Sequence, residues 1–213
     1  GHNPRVASGL GVIPRVVANG QAIYTGKISM AEATRRIDTY WRPYHEALTA
    51  QLDQAHLMFG QAILVDCHSM PHEAMDSVAR SGIRRPDVVL GDRFGAAAGE
   101  QIVDRIEEAF YQAGLVVTRN SPFAGAYVTQ HYGRPSKGQH AVQIEIDRAL
   151  YMNERLIRPN GAFEAVQAEQ VPDGYTKWVT TLQYPARWIP GIEFSRQERE
   201  KLVEEMDEKT EHS

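Results

Sequence analysis

Cysteine is almost missing: Cys67 stands alone in 213 residues, so no disulfide can form within the chain, and the usual sign of an oxidising compartment is absent. A reducing cytoplasm is the expected setting. No apolar run approaches the roughly 20 residues that a membrane-spanning helix needs, so no membrane partner is expected. No basic run occurs either, and the net charge is -4, which argues against nucleic acid while leaving room for a local basic pocket that takes an acidic small molecule. Internal repeats and low-complexity segments are also missing. With 42% hydrophobic and 23% charged residues, neither general disorder nor a membrane protein is indicated. The length fits one substantial α/β domain, 1–213, better than two. Gly1-His2 resembles the remnant of tag cleavage, so His2 is not counted as a ligand.

What is present centres on residues 62–71. Ala62 to Val65 follow the helix-ending Gly60 and run into Asp66 and His68, which reads as a buried parallel strand delivering polar groups at its carboxyl end. Open α/β sheets keep their chemistry there. Asp66 and His68, two apart on an extended chain, point the same way, so the carboxylate can orient the imidazole. His68 is then a structural hydrogen-bonded residue or a ligand or catalyst. Cys67 faces the other way, toward packing, as a small core residue or, less in keeping with a strand, a nucleophile. Pro71 ends the strand.

Before it, Ser29-x-x-Glu32 is a capping box opening a long amphipathic segment through Ala33, Ile37, Tyr40, Trp41, Tyr44, Leu48 and Leu52, which Pro43 should kink or split. Residues 3–28 read as loop, with a short hairpin turned at Asn19-Gly20. After it, 87–90, 115–118 and 140–146 read as strands, and a helix over 100–113 closes at Gly114. His72 reads as loop. The stretch 119–138 reads as a long loop that can fold over a pocket, carrying Tyr127, His131, Tyr132 and Arg134. In the fourth strand Val142, Ile144 and Ile146 take one face and Ala141, Gln143 and Glu145 the other. Glu145 is costly in an apolar strand unless it is paired, for instance with Arg148, or catalytic. Later, a turn at Pro172-Asp173-Gly174 with Phe163, Val166, Trp178 and Leu182 around it, and a capping box Ser195-x-x-Glu198, predict further helices.

Four blocks stand in order: Val65-Asp66-Cys67-His68-Ser69-Met70-Pro71, Gly91-Asp92-Arg93-Phe94-Gly95, Asn120-Ser121-Pro122-Phe123-Ala124-Gly125, and Gln143-Ile144-Glu145-Ile146 with Arg148-Ala149-Leu150-Tyr151-Met152. Together they resemble the N-formylglutamate amidohydrolase family over roughly residues 5 to 155. The resemblance implies a three-layer α/β/α fold with a largely parallel or mixed central sheet, similar to zinc carboxypeptidases and the aspartoacylase group. It implies a metal-activated water that attacks an amide or formamide carbonyl. By the same resemblance His68 is a Zn2+ ligand supported by Asp66, and Glu145 is the general base that becomes the proton donor. Arg93, Arg134 and Arg148 are the candidate receptors for an acidic N-acyl amino acid, with His131 and Tyr132 as neutral contacts. Relatives carry an amino-terminal region with a first histidine, an acidic residue and an Asp-Leu-Asn-Arg-like segment. None of these occurs between Gly1 and Gly60, so the expectation is that two zinc ligands and one substrate arginine lie outside this sequence. Two other readings stay open: a metal-free module that binds acidic small molecules, and a zinc peptidase acting on acidic peptide ends.

Overall fold

The computed structural model describes residues 9, 11–17, 20–76 and 84–163. The helices expected beyond Phe163, and the turn and capping box within them, lie outside the described residues. The chain divides into two compact units, residues 1–51 and 52–213.

In the first unit Val16 and Ala22 pair antiparallel, as the hairpin reading requires, although Asn19 itself is not among the described residues. Helix α1 spans Met30–Arg36, and the Ser29 hydroxyl accepts from the Glu32 amide at 3.1 Å. The Glu32 carboxylate accepts from Arg35 and Arg36, so only the forward half of the capping box is used as such. Ile37–Trp41 then forms a π-helical turn, and α2 follows over Arg42–Phe59, running past the boundary of the unit. The break falls where the sequence predicts one. A widened turn lets the register restart so that Pro43, which has no N–H, sits in the first turn of a new helix, where no donor is required. Gly60, at φ 69°, ends α2 in the left-handed conformation open to glycine.

The second unit is built on a mixed four-stranded sheet. Strand β1 is Ala62–Met70, β2 is Val88–Gly91, β3 is Val117–Arg119 and β4 is Gln139–Asp147, in the order β1-β4-β2-β3. β1 and β4 are parallel, as are β2 and β3, while β2 and β4 run antiparallel. Helix α3, Glu100–Gln112, links β2 to β3. Its Val103, Ile106 and Phe110 pack with Val88, Leu90, Val117, Val142 and Ile144 on one face of the sheet. Each such side chain buried contributes roughly 1.5–3 kcal/mol. α3 packs on β2 and β3, and β1 lies at the far edge, which leaves Cys67 exposed. The core placement expected for Cys67 is therefore corrected: its direction along the strand is as read, but among the described residues its side chain is left exposed.

The opposite face is polar in the middle. Leu64, Asp66, His68 and Met70 of β1 lie beside Ala141, Gln143, Glu145 and Asp147 of β4. The stretch 119–138 is not plain loop: it contains helix α4, Tyr127–Tyr132, and a single 3-10 turn, Pro135–Lys137. The Ala126 amide at the start of α4 donates to Gln143 Oε1 at 2.8 Å, which joins α4 to this polar face.

Candidate functional site

Parallel pairing of β1 with β4 sets Asp66 opposite Gln143 and His68 opposite Glu145. Asp66 is 2% exposed, Gln143 5% and Glu145 9%, so two carboxylates and an amide lie buried side by side. His68 Nε2 donates to Asp66 Oδ1 at 2.9 Å, the orientation expected from their spacing. That bond raises the His68 pKa above its ordinary value by favouring the imidazolium. Gln143 Nε2 donates to Glu145 Oε1 at 2.8 Å. Burial pushes the Glu145 pKa up, against the favourable field of His68 and the amide bond. Arg148 acts on Glu145 only through its field and hydrogen-bonds elsewhere, so the expected Glu145–Arg148 ion pair is replaced by the Gln143 contact. Among the described residues, the buried Asp66 Oδ2 has no hydrogen-bond partner and no hydrogen bond engages His68 Nδ1. Two acceptor positions thus stand ready for a group that donates protons or carries positive charge.

The second and third sequence blocks lock together beside this row. Asp92 Oδ1 accepts from Asn120 Nδ2 at 2.6 Å, and Asn120 Oδ1 accepts from the amides of Asp92 and Phe94. Arg93, Phe94 and Asn120 all have positive φ, near 57°, 56° and 59°. Gly91 has no room for a side chain: an added Cβ would lie 2.6 Å from Gly125 N. Gly91 pairs with Gln143, so all four blocks meet at one place in the fold. The neighbouring Met70, Met75, Val89 and Phe123 form an apolar patch on the same side.

The remaining expected receptors are distributed differently. Arg93 donates to the Gly125 carbonyl at 3.3 Å, and Arg134 donates to the carbonyls of Gln130 and Gly133 at the end of α4. Their guanidinium groups serve loop and helix carbonyls and do not join the Asp66–Glu145 cluster. His131 is exposed and stacks on Tyr127 with ring centroids 5.0 Å apart, while Tyr132 is buried in α4. Arg148 does border the cluster, held by Ser69: its Nε donates to Ser69 Oγ at 3.2 Å and NH2 to Ser69 O at 3.0 Å.

His72, read from sequence as loop, belongs to this end of the sheet. It opens a 3-10 turn, His72–Met75, and its Nδ1 meets Asp147 Oδ2 at 2.6 Å. Its partner lies 75 residues away, so no local spacing could have flagged it.

Zinc requires about four donors, three of them from protein in a hydrolytic site. His68 Nδ1 and Asp66 Oδ2 are available, yet no group of three or more His, Cys, Asp or Glu side chains able to hold a metal exists among the described residues. The described residues alone therefore do not fit a closed zinc site.

Comparison with known proteins agrees with the convergence of the four blocks. Two N-formylglutamate deformylases, from Pseudomonas putida and Pseudomonas aeruginosa, are each 32% identical to this chain; each match covers 68% of this chain and 54% of the relative. The chain thus spans about half the length of these curated relatives. The crystal structure of N-formylglutamate amidohydrolase from Ralstonia eutropha JMP134 superposes with a TM-score of 0.71 at 35% identity, over 78% of this chain and 60% of that one. The family model for N-formylglutamate amidohydrolase matches residues 2–152, which takes in β1 to β4, the two interlocked loops and the Asp66–Glu145 row, and the chain belongs to that family.

Proposed function

We propose that this chain carries the reacting centre of an amidohydrolase that removes the formyl group, or a similar small acyl group, from an acidic amino acid. The observation that carries this reading is the buried Glu145, directly across from His68, with a raised affinity for protons. A carboxylate that takes up a proton readily is suited to accept one from water and return it to a leaving nitrogen. In the reaction, a water oxygen bonds to the acyl carbon and the carbon–nitrogen bond breaks. One proton passes from water through Glu145 to the amine, releasing formate and the amino acid. Gln143 fixes one Glu145 oxygen, which leaves Oε2 to carry the proton. Asp66 holds the His68 ring so that Nδ1 faces outward from their bond.

The likeness of the family to zinc carboxypeptidases and aspartoacylases is part of this reading, as is zinc. When bound, a zinc ion would polarise the carbonyl and activate the water. His68 Nδ1 is the donor this chain would contribute to it, with Asp66 Oδ2 as a second available donor and the other ligands drawn from outside the described residues. The unpaired Cys67 suits a reducing compartment.

The test is formate release from N-formylglutamate, with zinc supplied, by the wild-type chain and by Glu145→Gln and His68→Ala. Glu145→Gln should lower kcat by about 10²- to 10⁴-fold, the range for losing an acid–base group. Full activity in both variants would overturn the proposal. A second reading, an acidic-ligand binding module without turnover, is favoured by the incomplete donor set. It predicts glutamate binding with no formate from the wild-type chain under any zinc supply.

A further inference from the structure

One strand step beyond Glu145 lies a group of cations that the proton chemistry above does not use. Asp147, 3% exposed, has both oxygens engaged: Oδ1 accepts from the Ala149 amide at 2.9 Å and Oδ2 from His72. Its imidazole partner is therefore fixed. His72 Nε2 in turn meets Arg85 NH1. A guanidinium can only donate, so Nε2 is the acceptor and the ring proton sits on Nδ1, facing Asp147. His72 thus has both ring nitrogens in use, which makes it a clamp on Arg85. Arg85 also pairs with Asp76, an exposed carboxylate. Asp76 is largely solvated while Arg85 is partly buried, so solvent weakens this pair from one side and a ligand carboxylate can take the place of Asp76. On the other side stands Arg148, whose Nε and NH2 are held by Ser69 while NH1 has Glu154 Oε2 at 4.0 Å, beyond a hydrogen bond. Glu154 Oε1 accepts from the His72 amide at 2.7 Å, which ties both arginines to the same turn.

We infer that Arg85 and Arg148, flanking the His72–Asp147 pair, form the receptor for the side-chain carboxylate of the substrate, and that His72 is the positioning residue that sets Arg85 in place. The inference rests on the amidohydrolase reading for the reaction and names what selects the amino acid. Two residues along a strand advance roughly 6.8 Å, which is the step from the Glu145 position to the Asp147 position. In an N-acylated glutamate the side-chain carboxyl carbon lies five bonds from the acyl carbon, roughly 6 Å when extended. An acyl carbon beside Glu145 therefore places that carboxylate level with Asp147 along the strand, the position that His72 and the adjoining Arg148 border. Arginine forks suit a planar carboxylate, and a neutral amide of the same shape gains much less from them.

Calorimetric titration with L-glutamate and L-glutamine, which share a shape and differ in one side-chain charge, isolates the receptor from turnover. The wild-type chain should bind glutamate more tightly, and Arg85→Gln should weaken glutamate by about ten- to a hundredfold, as for a lost charge-assisted hydrogen bond, while leaving glutamine within about twofold. Arg85→Lys should recover part of the loss, and His72→Ala should weaken glutamate in the same selective way. Equal wild-type affinities for the two amino acids, or equal losses for both in Arg85→Gln, would overturn the inference. If Arg85→Gln fails to fold, the Arg85→Lys and His72→Ala selectivities decide by the same criterion. Should glutamate selectivity hold while no N-formyl amino acid yields formate, the receptor stands and the hydrolytic reading falls.

Discussion

Two residues with displaced proton affinities, His68 and Glu145, sit side by side, and both make stability depend on pH in the same sense. His68 in the folded chain is held above 6.5 by the Asp66 bond. A raised histidine contributes stability in full below its unfolded value and loses it as pH climbs through the folded value. Glu145 is raised above 4.5 by burial, so the folded chain keeps a proton that the unfolded chain has released. Its effect on stability therefore also falls as pH rises from about 4.5 through the folded value. Glu32, lowered to about 2 by hydrogen bonds from Arg35 and Arg36, acts only below that window. In chelator-treated protein, the wild type should lose melting temperature between pH 4.5 and the folded His68 value relative to Asp66→Asn and Glu145→Gln. The Glu145→Gln difference should develop upward from about 4.5 and the Asp66→Asn difference above about 6.5. Differences that stay constant with pH would show that neither group carries the linkage.

The elements that position these residues were largely legible. Strands 62–66, 87–90 and 140–146 correspond to β1, β2 and β4, and the face of β4 carrying Gln143 and Glu145 follows directly from alternation. Strand 115–118 begins two residues before β3 and ends one short of it, because Leu115 packs against the core from outside the sheet. Helix α4 went unread: six residues are too few to show an apolar period, and its burial at Val128, Thr129 and Tyr132 comes from its place against the sheet. Long-range partners were beyond local spacing altogether, as with His72 and Asp147, or the turn of Arg93 and Arg134 toward carbonyls. What local pattern does reveal is glycine in the blocks, and the structure gives its reason at Gly91, where β2 touches the loop after β3. Gly91→Ala would drive a methyl into Gly125 N, Ala124 C and Phe123 O, backbone atoms that cannot swing aside. Overpacking of this kind costs about 1–3 kcal/mol. Urea denaturation should show a lower midpoint with an unchanged slope, and because Gly91 pairs with Gln143, glutamate binding should weaken too. A midpoint matching the wild type would mean that the two loops separate freely.

Taken as a whole molecule, the chain combines a family site with a donor set that its described residues leave short, and that combination has a measurable thermodynamic consequence. Apparent binding free energies of complete structural zinc sites run to about 10–16 kcal/mol. Two donors, His68 Nδ1 and Asp66 Oδ2, supply about half of that if ligands contribute comparably, or about 5–8 kcal/mol, which corresponds to dissociation constants of roughly 10⁻⁴ to 10⁻⁶ M. Even this is an upper figure, because Asp66 already accepts from His68 and a buried carboxylate must keep that bond while serving the ion. After dialysis against a strong chelator and then buffer, elemental analysis of the 213-residue chain should therefore find less than about a tenth of a zinc per chain. Added zinc should bind in the micromolar range or weaker, and His68→Ala should abolish that binding. Zinc retained near one per chain would require strong ligands among residues 1–8, 10, 18–19, 77–83 or 164–213, where His2 and His212 are the histidines present. Replacing those two in turn would then identify the donor, and the two-donor account of the site would be set aside.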